Sequence, residues 1–413
     1  MTRNIVALIG LALLVGCSGG GGGDPATSTS APTPPAQPDM LVATSDGLWR
    51  GKANGQGGVV FNRPNMQQAA VLVSGAHVVY SRDGDHDSQD IWTVRTDGTG
   101  DRTLFNAPVQ SERLLGVSGP WALVSKWLED GTSQRWSARP DTGEQFLLSE
   151  EGSFGSDVWM VPQGTDRVIP YTSMHLFSVT LTGTNRIEYD IASGDPDAYF
   201  TAVNTIADSV VYMIRGEPPT APPAVLYAKP ASGGTRVQFE SEQFYTYPAG
   251  SIGSRLIYQR CDINNLDPVA CDVLSANLDN TGKVVLTSQP ANEVVQGVTT
   301  DHVIIRRNLS GNDQLVAVPV AGGPEKLLIT MTDNEFVDLI VGDLIIVRRQ
   351  SGTWSLDLNG TLTKLGIIVG DSGFIAVGNS VCVTKVTAVW CMPQDGQGPQ
   401  VKIADRGKVV GVL

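Results

Sequence analysis

The chain has 413 residues, with 29 Lys plus Arg against 42 Asp plus Glu, a net charge of −13 and 41% apolar residues. A surface this acidic repels phosphate backbones and anionic head groups, which excludes a basic nucleic-acid footprint and a polybasic membrane contact. With 46 Gly and 24 Pro the chain must turn often, its apolar content argues against global disorder, and its four scattered histidines (His77, His86, His175, His302) offer no His-rich metal site.

At the N-terminus, Arg3 precedes an apolar run from Ile5 to Val15. That run is too short to span a bilayer, which takes about 20 residues, and the layout is that of a secretory signal. Leu14-Val15-Gly16-Cys17 resembles the lipobox of bacterial lipoproteins. The resemblance implies cleavage before Cys17 and acyl chains on that residue, each buried methylene contributing about 0.8 kcal/mol. An ordinary secreted protein with a chance Cys is the alternative. Ser18, rather than Asp, follows the Cys; by the same resemblance this implies the outer membrane, with the body facing the periplasm and the cell surface as the other option. Residues 17–39, with five consecutive Gly and then a Pro/Ser/Thr stretch, hold no large apolar side chain and read as a tether. The chain therefore divides into a signal (1–16), a lipidated tether (17–39) and a body (40–413).

Along the body, short β-rich runs alternate with Gly, Asp and Asn clusters, and no amphipathic helix is evident. Nine turns recur, from Asn54-Gly55 through Asp97-Gly98, Asp141-Thr142-Gly143, Thr182-Gly183, Ser232-Gly233-Gly234, Asp279-Asn280-Thr281-Gly282, Ala321-Gly322-Gly323 and Asn359-Gly360 to Asp395-Gly396. Their mean spacing of about 43 residues suits four-stranded propeller blades. One unit parses as Ala69–Val73, His77–Ser81, Asp90–Arg95 and Arg102–Phe105, and a later one as Phe336–Val341, Leu344–Arg348, Trp354–Leu358 and Leu362–Leu365. The fold expected is all-β, a single β-propeller of nine units with eight blades as the alternative. Its first blade lacks an inner strand, and Lys408–Leu413 is left over to supply it. Two stacked β-sandwiches compete, but they predict no single period.

Ser81-Arg82-Asp83-Gly84, followed by Asp90-Ile91-Trp92-Thr93-Val94-Arg95-Thr96-Asp97-Gly98-Thr99-Gly100 and Arg102-Thr103-Leu104, resembles the repeat of TolB-like, WD-type propellers. The match is good in this unit and degenerate elsewhere. The α/β domain of TolB has no counterpart here, so its role does not transfer.

Setting Cys17 aside leaves two local pairs, Cys261/Cys271 and Cys382/Cys391. Each flanks a hairpin turn, where opposed residues approach to about 4.5–5.5 Å, so two disulfides are expected, with buried free thiols as the alternative.

In a blade the first-to-second and third-to-fourth turns share one face of the disc, and here they are short. The insertions fall on the other face: Asp83–Gln89, Glu129–Ser133, Asp195–Tyr199, Glu217–Ala224, Glu240–Pro248 and Asp262–Ala270. Long loops on a rigid scaffold are where binding concentrates. There Asp83, Asp85, Asp87 and Asp90 could offer oxygens to Ca²⁺, although the run lacks an EF-hand pattern and a solvated loop is the default. No other cofactor is expected. The candidate ligand-face residues are Asp83, Asp85, His86, Asp87, Tyr199, Phe244, Tyr245 and Tyr247, the aromatics being placed in inter-blade links; packed between blades they would be plain core. Trp121, Trp127 and Trp136 are expected to pack within their own blade.

Gly370-Asp371-Ser372-Gly373 matches the surroundings of a protease serine, but no base accompanies it and no catalytic residue is assigned. The function expected is a non-catalytic, monomeric binding platform of the cell envelope. It would hold an envelope protein or a glycan, with no nucleic acid, and touch the membrane through its lipid alone. The alternative is a propeller enzyme, a polysaccharide lyase or hydrolase using the long-loop face.

Overall fold

The structure is a computed structural model describing residues 39–412, apart from 45–46, 63–70, 84–88, 106–110, 151–158, 164–165, 172–174, 192–198, 216–223, 242, 263–270, 288–291, 310, 333, 367–372, 386–387 and 406. Thirty-six strands form nine four-stranded antiparallel sheets, with no helix among the described residues. The chain is a nine-bladed β-propeller, which removes the eight-blade alternative.

Blade 1 contains β1 (Asp39–Thr44), β2 (Gly47–Lys52) and β3 (Val59–Asn62), and its innermost strand is β36 (Gly407–Val412). The last strand pairs antiparallel with the first, Val42 opposite Val409 and Met40 opposite Val412, so the C-terminus closes the ring as the sequence predicts. Every other blade uses four consecutive strands counted outward from the axis. Blade 2 is β4 (Val71–Ser74), β5 (His77–Asp83), β6 (Gln89–Arg95) and β7 (Arg102–Phe105). Blade 3 is β8 (Glu112–Ser118), β9 (Trp121–Trp127), β10 (Ser133–Ala138) and β11 (Gln145–Ser149). Blades 4 to 9 follow as β12–β15, β16–β19, β20–β23, β24–β27, β28–β31 and β32–β35.

Both faces of each blade are dry, because each packs on a neighbour. In β21 (Arg255–Asp262), Leu256, Ile257 and Tyr258 are all buried. Leu256 and Tyr258 pack with Val211 and Leu226 of blade 5, whereas Ile257 packs with Val303, Ile305 and Val316 of blade 7. This is why second strands read as continuous apolar runs rather than alternating ones. The nine hydrophobic clusters correspond one to one with the nine blade–blade interfaces. The seam at the closure is one of them: Met40 and Val42 of β1 pack on Val377, Val389 and both half-cystines of blade 9.

The turn families share a face as expected. Third-to-fourth turns donate backbone hydrogen bonds to first-to-second turns in five blades: Thr96 N to Ala76 O, Leu181 N to Asp166 O, Ala231 N to Asp208 O, Val320 N to Asp301 O and Gln394 N to Asn379 O, at 2.7–2.9 Å. Asp97 and Asp279 brace such turns, each Oδ1 accepting from the backbone N–H and hydroxyl of the Thr two residues on. Gly183, at φ +75°, lies so close to blade 3 that a Cβ there would sit 2.4 Å from Leu147 O.

The two disulfides form between directly opposed residues. Cys261 pairs with Cys271 and Cys382 with Cys391, with Cα separations of 4.2 and 4.0 Å. Three local readings need correction. The Glu129–Ser133 segment is a tight turn, with Leu128 N donating to Thr132 O, because Asp130 caps Thr132 as Asp97 caps Thr99. Trp121 packs on Phe146 of its own blade but also against the cluster between blades 3 and 4, and Trp136 meets Phe105 of the preceding blade, so both rings fill interfaces. The third strand of blade 8 is β30 (Gly352–Leu356) rather than Trp354–Leu358, since Asp357 has already turned to accept the N–H groups of Asn359 and Thr361.

Candidate functional site at the channel mouth

The innermost strands line the central channel and begin on the face opposite the short turns, while second strands end there. Six innermost strands share one irregularity. In β8, β16 (Tyr199–Ile206), β20 (Phe244–Ile252), β24 (Asn292–Val298), β28 (Phe336–Val341) and β36 the register slips after the first few residues. A bulge of this kind re-aims the side chains beside it.

Two residues ahead of the slip, the side chain is buried and polar: Glu112 in blade 3, Thr246 in blade 6, Glu293 in blade 7 and Glu335 at the entry to blade 8. The opposite position on the second strand is basic in blades 3, 5, 6 and 7. Lys126 faces Glu112, Arg215 faces Tyr199, Arg260 faces Thr246 and Arg307 faces Glu293. Arg349 Nε donates to Glu335 Oε1 at 2.5 Å.

These groups fasten each blade to what precedes it. Thr246 Oγ1 accepts from Leu226 N at 2.9 Å and donates to Ala224 O at 3.0 Å, both beside the third strand of blade 5. Thr287 at the end of blade 6 donates to Glu293, which also lies 3.7 Å from Arg307, and Glu335 accepts from Thr332 N at 3.0 Å. Burial pushes the Glu112 and Glu293 carboxyls up to about 7. Asp338, the extra residue in the β28 bulge, is raised by burial to about 6 although Arg348 lies 3.1 Å away.

One residue nearer the slip, the side chain is exposed in three consecutive blades: Tyr247 (37%), Val294 (46%) and Phe336 (43%). Guanidiniums flank this row. Arg306 Cζ and Arg348 Cζ lie 6.0 and 5.4 Å from the Phe336 ring centroid. Arg215 is exposed at the top of blade 5, where its charge is felt by Tyr247. Arg260 covers Phe244 at 5.0 Å and pairs with Asp272 at 2.5 Å.

Of the residues singled out from sequence, Asp85, His86 and Asp87 lie outside the described residues, as does the side chain of Asp83. Asp90 stands opposite Arg82 in the β5–β6 ladder. Among the described residues no group of three or more His, Cys, Asp or Glu is placed to hold a metal ion. Phe244, Tyr245 and Tyr247 do not lie in a link. They open strand β20, as Tyr199 opens β16, because an alternating β-forming run with Thr246 anchored to blade 5 extends the ladder outward. Sequence reading passed over Glu112, Glu293, Glu335, Asp338, Val294 and Phe336. The signal that could have found them is the base near the end of the second strands of blades 2, 3 and 5 to 8: Arg82, Lys126, Arg215, Arg260, Arg306-Arg307 and Arg348-Arg349.

No protein-family model matches the chain, and no curated protein matches it. Solved structures similar to it include a prolyl endopeptidase, at 13% identity and TM-score 0.48 over 80% of this chain and 53% of that one. They also include a puromycin hydrolase, at 15% and 0.46 over 82% and 54%, and an oligogalacturonate lyase in complex with manganese, at 13% and 0.42 over 78% and 98%. The chain spans about half the length of the first two.

Proposed function

We propose that this protein is a binding platform of the bacterial envelope, held to the outer membrane through lipid on Cys17 and presenting its channel mouth to a periplasmic or surface ligand. The observation that carries the reading is the exposed row Tyr247, Val294 and Phe336, bordered by guanidiniums on the face opposite the short turns. The entry of the chain supports it. β1 is a second strand and starts on the short-turn face, where Asp39 pairs with Arg50 at 3.0 Å and Arg50 reaches Thr96 O at 3.1 Å. A tether arriving there leaves the mouth pointing away from the membrane. Cys17→Ser should move the protein from the membrane fraction to the soluble one, and Tyr245→Ala/Tyr247→Ala should lose a ligand that the parent protein retains from envelope extracts. Retention on the membrane, or unchanged capture, would refute the respective half.

A second reading, a polysaccharide lyase or hydrolase, draws on the carboxyls raised to about 6–7 at Glu112, Glu293 and Asp338, the range useful to a general acid. Glu112 and Glu293 sit between strands and serve packing, so the binding reading is preferred. Turnover of an envelope polysaccharide that Asp338→Asn abolishes would reverse the preference.

A further inference from the structure

The exposed row has a regularity beyond its chemistry. Tyr247, Val294 and Phe336 occupy one register position in three consecutive blades, each one residue ahead of the residue where the ladder slips. Equivalent positions on a propeller recur at equal angular steps around the axis. A partner that matches them is therefore itself repetitive along its length.

The flanking charges narrow its chemistry. Arg306 stands opposite Val294 and Arg348 opposite Phe336 in their ladders, and the charge of exposed Arg215 in blade 5 acts on Tyr247. Arg306 donates to Asp313 and Arg348 pairs with Asp338, yet a guanidinium has five N–H donors in a planar fork and retains capacity for a second carboxylate. Arg215 has no ion pair with a described carboxylate. The other guanidiniums of this arc, Arg260, Arg307 and Arg349, are likewise paired with carboxylates.

We infer that the arc over blades 5 to 8 binds a linear acidic oligosaccharide, a sugar's C–H face covering Tyr247, Val294 or Phe336 while its carboxylate meets Arg215, Arg306 or Arg348. The inference rests on the platform reading above and names the ligand class for that face. Rings and a branched aliphatic side chain on the channel wall offer flat apolar contact, and a planar carboxylate suits the guanidinium fork.

The test is titration calorimetry of the full lipidated chain in detergent. Three probes are used: a hexauronate, the same oligomer with its carboxyls reduced to alcohols, and poly-glutamate of similar charge. The hexauronate should bind saturably, carboxyl reduction should weaken it about tenfold or more, and Phe336→Ala and Arg215→Ala should each cost about tenfold. Val285→Ala, an exposed residue on the outer strand of blade 6, should change nothing. Thermal melting verifies that each variant is folded, and if Phe336→Ala is not, Arg215→Ala decides. Equal affinity for the reduced oligomer, or variants that bind like the parent, overturns the acidic-sugar class. So does binding of poly-glutamate without the hexauronate. Failure of all three probes while the parent still captures an envelope ligand that Tyr245→Ala/Tyr247→Ala loses would sink this inference and leave the platform standing. Loss of that capture as well would sink both.

Discussion

Glu112 offers a sharp test of the blade fastenings. Its side chain is fully buried at the start of β8, and its oxygens make no full hydrogen bond with a described residue. Burial raises the carboxyl from 4.5 to about 7, and the nearby Lys126 ammonium and Ile91 N–H offset this only in part. A raised folded-state value means that the native protein holds the proton more tightly than the unfolded chain. The contribution is therefore complete below pH 4.5 and is lost as pH rises towards 7. At about 1.4 kcal/mol per pH unit, the ionised group costs at most about 3 kcal/mol at pH 8. Glu112→Gln keeps the shape of the neutral acid and cannot ionise. It should match the parent at pH 4 and exceed it by up to about 3 kcal/mol at pH 8. Urea unfolding at pH 4, 6 and 8, with both disulfides intact, measures the difference. A variant less stable than the parent at pH 8 would show that the attraction of Lys126 outweighs burial, and the reasoning would fail.

The exposed turn aspartates act with the opposite sign. Hydrogen bonds from Thr99 and Thr281 hold Asp97 and Asp279 below the usual carboxylate value, so their contribution is present above pH 3.8 and fades as pH falls; Asp279→Ala should flatten the acid limb of a melting-temperature profile. Gly183→Ala should destabilise by about 1–3 kcal/mol in chemical denaturation, since it combines left-handed backbone with a clash on Leu147 O. Replacing Cys382 and Cys391 together by Ala should cost about 2–3 kcal/mol. Their sulfurs lie 3.9 and 3.8 Å from Met40 Sδ at the ring seam, so hydrogen exchange should rise in β1 and β36 before the other blades. An unchanged rate there would mean the disulfide does not brace the closure.

The ring was legible because its period is written in turn chemistry. Thr182-Gly183 and Asp279-Asn280 require the positive φ values of +75° at Gly183 and +62° at Asn280, and only a few residue types accept them cheaply. The orphan strand at 408–413 was legible by counting, since a blade lacking its inner strand and a strand lacking a blade have one economical solution. The mouth was not legible for the same reason that it is interesting. An aromatic beside a polar residue, as in Phe244-Tyr245-Thr246-Tyr247, reads equally as a link or as the opening of a strand until Thr246 is seen bonded to blade 5. Glu112, Glu293 and Glu335 lie far apart in sequence and are surrounded by ordinary residues; only the shared bulge shows that they occupy one position in three blades. Local chemistry thus sets the repeat, whereas the register slip, a property of paired strands, accompanies in blades 6 to 8 the division between a side chain buried as a fastening and a neighbour left exposed. In blades 6 to 8 the exposed position carries Tyr247, Val294 and Phe336 in turn, while the buried fastening beside it is Thr246 in blade 6 and a glutamate in blades 7 and 8.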